Sequence, residues 1–240
     1  EVELGVRYIN RVLWISNESR GFTHRGIFAS PEFLDVFTIP LVRGDSESGL
    51  RNPYSAFITQ TLAQKLFGNE DPMGKTISVD YKWDWMAGDF EVTGVMEDIP
   101  ATSNGEFVFE FLTVPVNPDQ YIWSEWRPED DFHPVRSYIL LKEGASIDAL
   151  RQKMPTFVEQ YLGLKVAKTD GYVLQPFLDI HLRSVADYGL LQMASTNPYG
   201  DIRKCYTLGL IGVLILVIAC INFTNLATAR SANRAREVGL

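Results

Sequence analysis

Three histidines and two cysteines are the side chains in this sequence best suited to hold a transition metal, and neither set is spaced to do so. His24, His133 and His181 lie far apart and form no HxxxH pair, and Cys205 and Cys220 form no CxxC. Zinc-type sites draw on such close pairs, so the histidines read as surface or loop residues. Glu125, Glu129, Asp130 and Asp131 gather beside His133. Clustered carboxylates suit a hard divalent cation, but this run lacks the spaced loop of a calcium hand and reads as a solvated charged loop. The sequence has no GxSxG, no P-loop and no GxGxxG, so neither an acyl-transfer nucleophile nor a phosphate cradle is visible. A hydrolase needs a nucleophile with its base, or a metal set. No catalytic residue, cofactor or metal is therefore expected.

What remains is recognition chemistry. Trp83 and Trp85 stand in YKWDWMAGD, between two strand-like runs. A turn exposing two indoles suits a partner contact, because aromatics dominate interface hot spots; cover over a small core is the equal alternative. Trp123 and Trp126 flank the acidic cluster and are equally open. Asn222, Asn225 and Ala229 follow a spacing of three and four, which places them on one helix face. The stretch around them is apolar, and an amide in hydrocarbon seeks a partner, so this face reads as packing on another transmembrane helix. A polar path through the membrane is the alternative, and no ionisable group accompanies the amides to support it.

The charge balance shows what must carry those residues. The 240-residue chain is 46% hydrophobic and 22% charged, with net charge −8; that is ordinary globular composition, and its acidity argues against a nucleic-acid partner. The average conceals a division. Residues 1–202 hold 17 basic and 29 acidic side chains, a net −12, whereas residues 203–240 hold 5 basic and 1 acidic, a net +4. From Cys205 to Ala229 there are 25 residues without a charge, with Arg203 and Lys204 before them and Arg230, Arg234 and Arg236 after. About 20 apolar residues cross a bilayer core, so this run is read as a membrane span. Two basic residues on one side against three on the other lean toward a cytoplasmic C-terminal end. Both cysteines fall inside the run, so the acidic body needs no disulfide.

Along the body, Val2, Leu4, Val6 and Tyr8 alternate in the manner of a strand. The chain begins there without Met, which reads as a portion of a longer protein. Ser30-Pro31-Glu32 reads as a helix start capped by Ser30. Ala56–Ile58 reads as a strand, followed by a helix capped by Thr59, carrying Leu62, Ala63, Leu66 and Phe67, and closed by Gly68. Strands are expected at 76–79, 90–95, 107–116 and 137–141, then a helix capped by Ser146 that Pro155 should kink or split. Residues 172–182 read as strand-like. The fold class is α+β, with residues 30–100 as one compact unit.

GIFASPEFLDVFTIPLVRGD, FITQTLAQKLFGNEDPMGKTISV and FEVTGVMEDIP together resemble the periplasmic core domain of MacB-like ABC transporter permeases. LQPFLDIHLRS is a second marker, and ILVIACINFTNLATARSANRAREVGL resembles the start of an FtsX-like permease domain, as in many bacterial proteins of the Bacteroidetes type. The resemblance covers most of 25–115 and 172–240. It implies a periplasmic domain of two subdomains: a Porter-like part from residues 1–29 and 101–202, and a Sabre-like insertion at 30–100. Residues 203–240 would then be a transmembrane helix and the beginning of the permease domain. It also implies a bacterial inner-membrane location with residues 1–202 in the periplasm. The implied partners are a cytoplasmic ATPase subunit or domain, a second permease copy in a dimer, a periplasmic adaptor, and membrane lipid. The family's permeases carry no catalytic residues of their own. A membrane-anchored periplasmic binding or scaffold protein is the competing reading.

Overall fold

The structure, a computed structural model, describes residues 1–52, 54–81, 86–100, 103, 107–115, 135–162, 173–188 and 200–239. Trp83, Trp85, Trp123, Trp126, His133 and the acidic cluster at 125–131 lie outside them. The chain forms two units, residues 1–172 and 173–240.

The first unit is a mixed sheet with helices against it. β1 (Val2–Ser16) is long enough to serve three partners. Its first half pairs with β8 (Arg136–Leu141), from Leu4 opposite Leu140 to Tyr8 opposite Arg136. Its second half pairs with β2 (Gly21–Ala29) on one side and with β5 (Thr76–Asp80) on the other. From β2 the ladder continues through β7 (Phe111–Thr113), β4 (Ser55–Thr59) and β6 (Gly88–Met96), and β6 returns to β5. The pairings of β1, β2, β7, β4, β6 and β5 thus close on themselves. β3 (Leu41–Gly44) adds to the end of β6. Strands from 1–29 and from 30–100 bond directly to one another, as at Trp14 opposite Asp80.

Side chains alternate across a strand, and here both faces are buried. Ile9, Leu13, Phe28, Ala56, Ile58, Ile77, Val92 and Phe111 fill one core. Tyr8, Ile27, Phe33, Phe57, Phe107, Phe109 and Leu112 fill the other. Ala56, Phe57 and Ile58 go alternately to one core and the other, which is why that strand reads as an unbroken apolar run.

The helices follow their local signals to different degrees. α2 (Gln60–Phe67) starts where Thr59 Oγ1 accepts from the Leu62 amide at 3.3 Å and ends at Gly68, whose φ of 63° favours glycine. It lays Leu62, Ala63 and Leu66 on the first core. α3 (Ile147–Leu162) begins with Ser146 Oγ accepting from the Ala149 amide, and it runs on through Pro155 without being split. α1 is only the turn Phe33–Val36, and Ser30 does not cap it. The Ser30 hydroxyl instead accepts from the Arg7 amide at 3.2 Å, tying the end of β2 to β1. The strand expected over 107–116 shortens to β7, because Phe107 and Phe109 turn into the second core.

The second unit corrects another expectation. Residues 177–188 are helical, a 3₁₀ turn at Phe177–Asp179 leading into α4 (Ile180–Tyr188). After residue 200 comes α5 (Ile202–Val238), a single helix of 37 residues.

Candidate functional site

α5 owes its length to its composition. Its only interior breakers are Gly209 and Gly212, and a helix in hydrocarbon keeps its backbone bonds because nothing else can satisfy them. At about 1.5 Å per residue, its 37 residues reach roughly 55 Å, more than the hydrocarbon thickness. Residues Ile202–Ser231 form the one helix among the described residues long and apolar enough to cross a membrane, with mean hydropathy 2.4, and none of its most apolar stretch is buried by the rest of the chain. A soluble core helix of this composition would be covered.

The start of α5 is fixed locally. The Asp201 carboxylate accepts from the Arg203 amide at 2.9 Å, and the Asp201 carbonyl from the Lys204 amide at 3.0 Å. Along the helix, Thr207, Thr224 and Thr228 donate their hydroxyls to the carbonyls four residues earlier, at 2.8–2.9 Å. Those three polar groups are satisfied within the helix. Asn222 and Asn225 are not: both amides are exposed on the face they share with Ala229, and neither has a hydrogen-bond partner among the described residues. Cys205 and Cys220 are free and exposed on the same helix.

The histidines divide. His181 is exposed on α4. His24, expected at the surface, is 7% exposed on β2. Its Nδ1 lies 3.5 Å from Glu110 Oε1, and its Nε2 is buried without a hydrogen-bond partner among the described residues. Glu110 is held in turn by the Arg25 amide, which donates to Oε2 at 3.0 Å. Periodicity gave no sign of this pair, because His24 lies on β2 and Glu110 just before β7, remote in sequence. One histidine beside one carboxylate orients a side chain. Among the described residues no three of His, Cys, Asp and Glu gather to hold a metal ion. A hollow of about 560 Å³ beside α1 is lined by Glu32, Asp35, Glu47 and Arg51 with Leu34 and Leu50. Its charged groups stand on the surface, and none is a buried group aimed inward.

None of the curated proteins matches this chain. Among solved structures, it resembles a domain from Porphyromonas gingivalis described as belonging to a putative permease protein, at 24% identity over 71% of this chain and 69% of that one, with a TM-score of 0.54. That likeness is one of fold. The periplasmic region of MacB from Actinobacillus actinomycetemcomitans aligns at 13% identity over 68% of each chain, with a TM-score of 0.49. The extracellular domain of the noncanonic ABC-type transporter YknZ from Gram-positive bacteria aligns at 17% identity over 66% of this chain and 75% of that one, with a TM-score of 0.45. The sequence family described as the MacB-like periplasmic core domain matches residues 2–157, from the first strand into α3, and the chain belongs to that family.

Proposed function

We propose that this chain is a permease component of a MacB/FtsX-type ABC transporter, coupling cytoplasmic ATP hydrolysis to conformational change in its periplasmic domain for export or efflux. Membership of a periplasmic-domain family goes with a membrane-anchored protein that has a periplasmic segment, and the apolar helix agrees with that. The observation that carries the proposal is α5 itself. A static anchor needs about 20 apolar residues, whereas α5 continues unbroken into the Arg230–Val238 extension and bears two amides without partners.

In this reading residues 203–240 begin an FtsX-like permease domain. Asn222, Asn225 and Ala229 pack against another transmembrane helix, where the amides find the partners that the described residues do not supply. A cytoplasmic ATPase acts on the Arg-rich end, a second permease copy completes a dimer, and a periplasmic adaptor is the partner expected for a tripartite exporter. The chain itself does no chemistry. It passes a displacement along α5 through Gly200-Asp201-Ile202-Arg203, and a continuous helix can carry a rigid displacement across the bilayer.

The junction is the place to test this. A flexible Gly-Ser stretch inserted after Asp201 should leave folding and membrane insertion intact and uncouple transport from ATP hydrolysis, because a random-coil linker carries little force at short extension. Wild-type transport by the reconstituted complex with the linker in place would refute transmission through α5 and favour the static scaffold.

A further inference from the structure

The marker LQPFLDIHLRS, which folds into the 3₁₀ turn and α4, has no part in the reading above. Pro176 starts the turn, and its carbonyl accepts from the Asp179 amide at 3.0 Å. The Gln175 side-chain amide donates to Ser184 Oγ at 2.9 Å, and Ser184 donates to the Ile180 carbonyl at 2.6 Å. Arg183 and Asp179 form an ion pair at 3.5 Å across one helical turn. These bonds fix the turn from both ends. What the fixed turn presents is apolar: Leu178 is 90% exposed, Phe177 45% and Val173 51%. Single exposed apolar residues need no explanation, but Phe177 and Leu178 stand side by side on a braced turn, with Val173 four residues before it.

The helix that continues from the turn, α4, lies beside the start of the membrane helix. At Gly200 a Cβ would stand 2.6 Å from Leu182 Cδ2 and 3.4 Å from the His181 carbonyl, so the chain passes close against α4 there. Gly200 is two residues before α5 begins and five before Cys205, where the uncharged run begins. With two non-helical residues at up to about 3.3 Å and three helical ones at about 1.5 Å, α4 touches the chain within about 11 Å of the apolar run. The headgroup region of each leaflet is about 5–8 Å deep. Lys204, exposed at the same level, and Arg203 suit phosphate headgroups, as cations at the ends of membrane helices do.

We propose that the turn Phe177–Asp179 and α4 form a foot that rests in the lipid interface, with Leu178 inserted among headgroups and upper acyl chains. Its occupant is the bilayer surrounding α5, and the proposal rests on α5 spanning that bilayer. The foot sets the height of the α5 entry point on the membrane surface.

Spin labels on the full chain in phosphatidylcholine–phosphatidylglycerol vesicles test it, with Cys205 and Cys220 replaced by alanine. Labels at Leu178→Cys, Leu214→Cys and Glu18→Cys are read by collision with oxygen, which partitions into lipid, and with a water-soluble nickel chelate. The label at 178 should show nickel accessibility roughly tenfold below that at 18, the population ratio that burial of one leucine supplies, with oxygen accessibility retained. A label at Phe177→Cys should return to the level at 18 when Leu178→Asp is added. If 178 matches 18 while 214 reads as lipid, the foot is wrong and the span stands. Low accessibility to both reagents at 178 means a protein cover and overturns the foot. If 214 reads as water, the span fails and the foot fails with it.

Discussion

Replacing Gly94 by alanine places two measurable effects of opposite sign at one position. Gly94 lies opposite Phe57 across the parallel pairing of β4 and β6, where a bulge at Thr93 shifts the register. A Cβ at 94 would stand 2.5 Å from Phe57 Cδ1 and 2.7 Å from Cε1. Carbon atoms pack best at about 3.5–4.0 Å, so the overlap approaches 1 Å or more. The ring cannot swing clear, because it is fully buried and a Cβ at Gly49 would stand 2.4 Å from the same Cε1. Gly94 is not among the glycines with positive φ. Alanine is therefore compatible with the backbone, and in a strand would by itself add about 0.5–1 kcal/mol of stability. Overpacking a filled core costs about 1–3 kcal/mol. Taking the middle of each range, Gly94→Ala should therefore destabilise the protein by about 1 kcal/mol. Phe57→Leu removes the ring edge, and in that background the added methyl group fills space instead of contesting it. Urea melts of the wild type, both single variants and the double variant, followed by tryptophan fluorescence in detergent, give the coupling energy. It should fall near 1–3 kcal/mol. A neutral or stabilising Gly94→Ala, or a coupling below about 0.5 kcal/mol, would show that the ring yields and that the two glycines do not wall it in.

Leu66→Ala should cost about 2–5 kcal/mol in the same assay, since Leu66 is 2% exposed in the first core; Thr59→Ala should cost about 1 kcal/mol through the lost cap of α2. A fragment of residues 30–100 expressed alone should give the circular dichroism of an unfolded chain, because its strands share both cores with β1 and β2; a cooperative melt would show that it is a separate folding unit. Asp71 accepts from the Met73 amide, its largest stabilising contact, and then from Arg43, so its carboxyl is held below the ordinary range, as are those of Glu1, Asp45 and Glu70. Groups depressed on folding stabilise the protein above their unfolded values of about 4 and lose that contribution as pH falls through the folded ones. The urea midpoint should therefore drop on acidification below about pH 4, and less so in Asp71→Asn.

Local signals were legible where the bond they describe is also the bond the fold uses. Thr59 and Gly68 bracket α2 because a cap hydroxyl and a left-handed glycine act within their own turn. Ser30 has the same composition cue, but a residue brought alongside by the sheet, Arg7, takes its hydroxyl. In 172–182, apolar residues alternate with polar ones often enough to suggest a strand. The same residues also fit a helical turn led by Pro176, and so short a run cannot be assigned by period alone. His24 read as a surface residue because β2 gave no recognisable alternation. A strand covered on both faces has no polar side to reveal it. The amide face of α5 was legible for the opposite reason: spacing within one helix needs no tertiary information, and Asn222, Asn225 and Ala229 share a face in any α-helix.

The subdomain boundaries belong to a different class of question. Composition changes little at residues 30 and 100, and the structure shows what composition could not carry. β1 joins what the boundaries would separate, because Trp14, Ile15 and Ser16 pair with Thr23, Phe22 and Gly21 on one side and with Asp80, Val79 and Ser78 on the other. Turning residues 30–100 as a body against 1–29 would break those ladders and shear two aromatic-rich cores, and filled cores do not deform continuously. Further along, β8 pairs with the first half of β1, from Val2 to Tyr8, with a register shift between Val2 and Leu4, and its Tyr138 stacks on Tyr8 and packs against Phe37 and Phe107 in the second core. Among the described residues the last strand before α3 thus has one strand partner, where each ring strand has two or more, and the aromatic packing of Tyr138 supplements that single ladder.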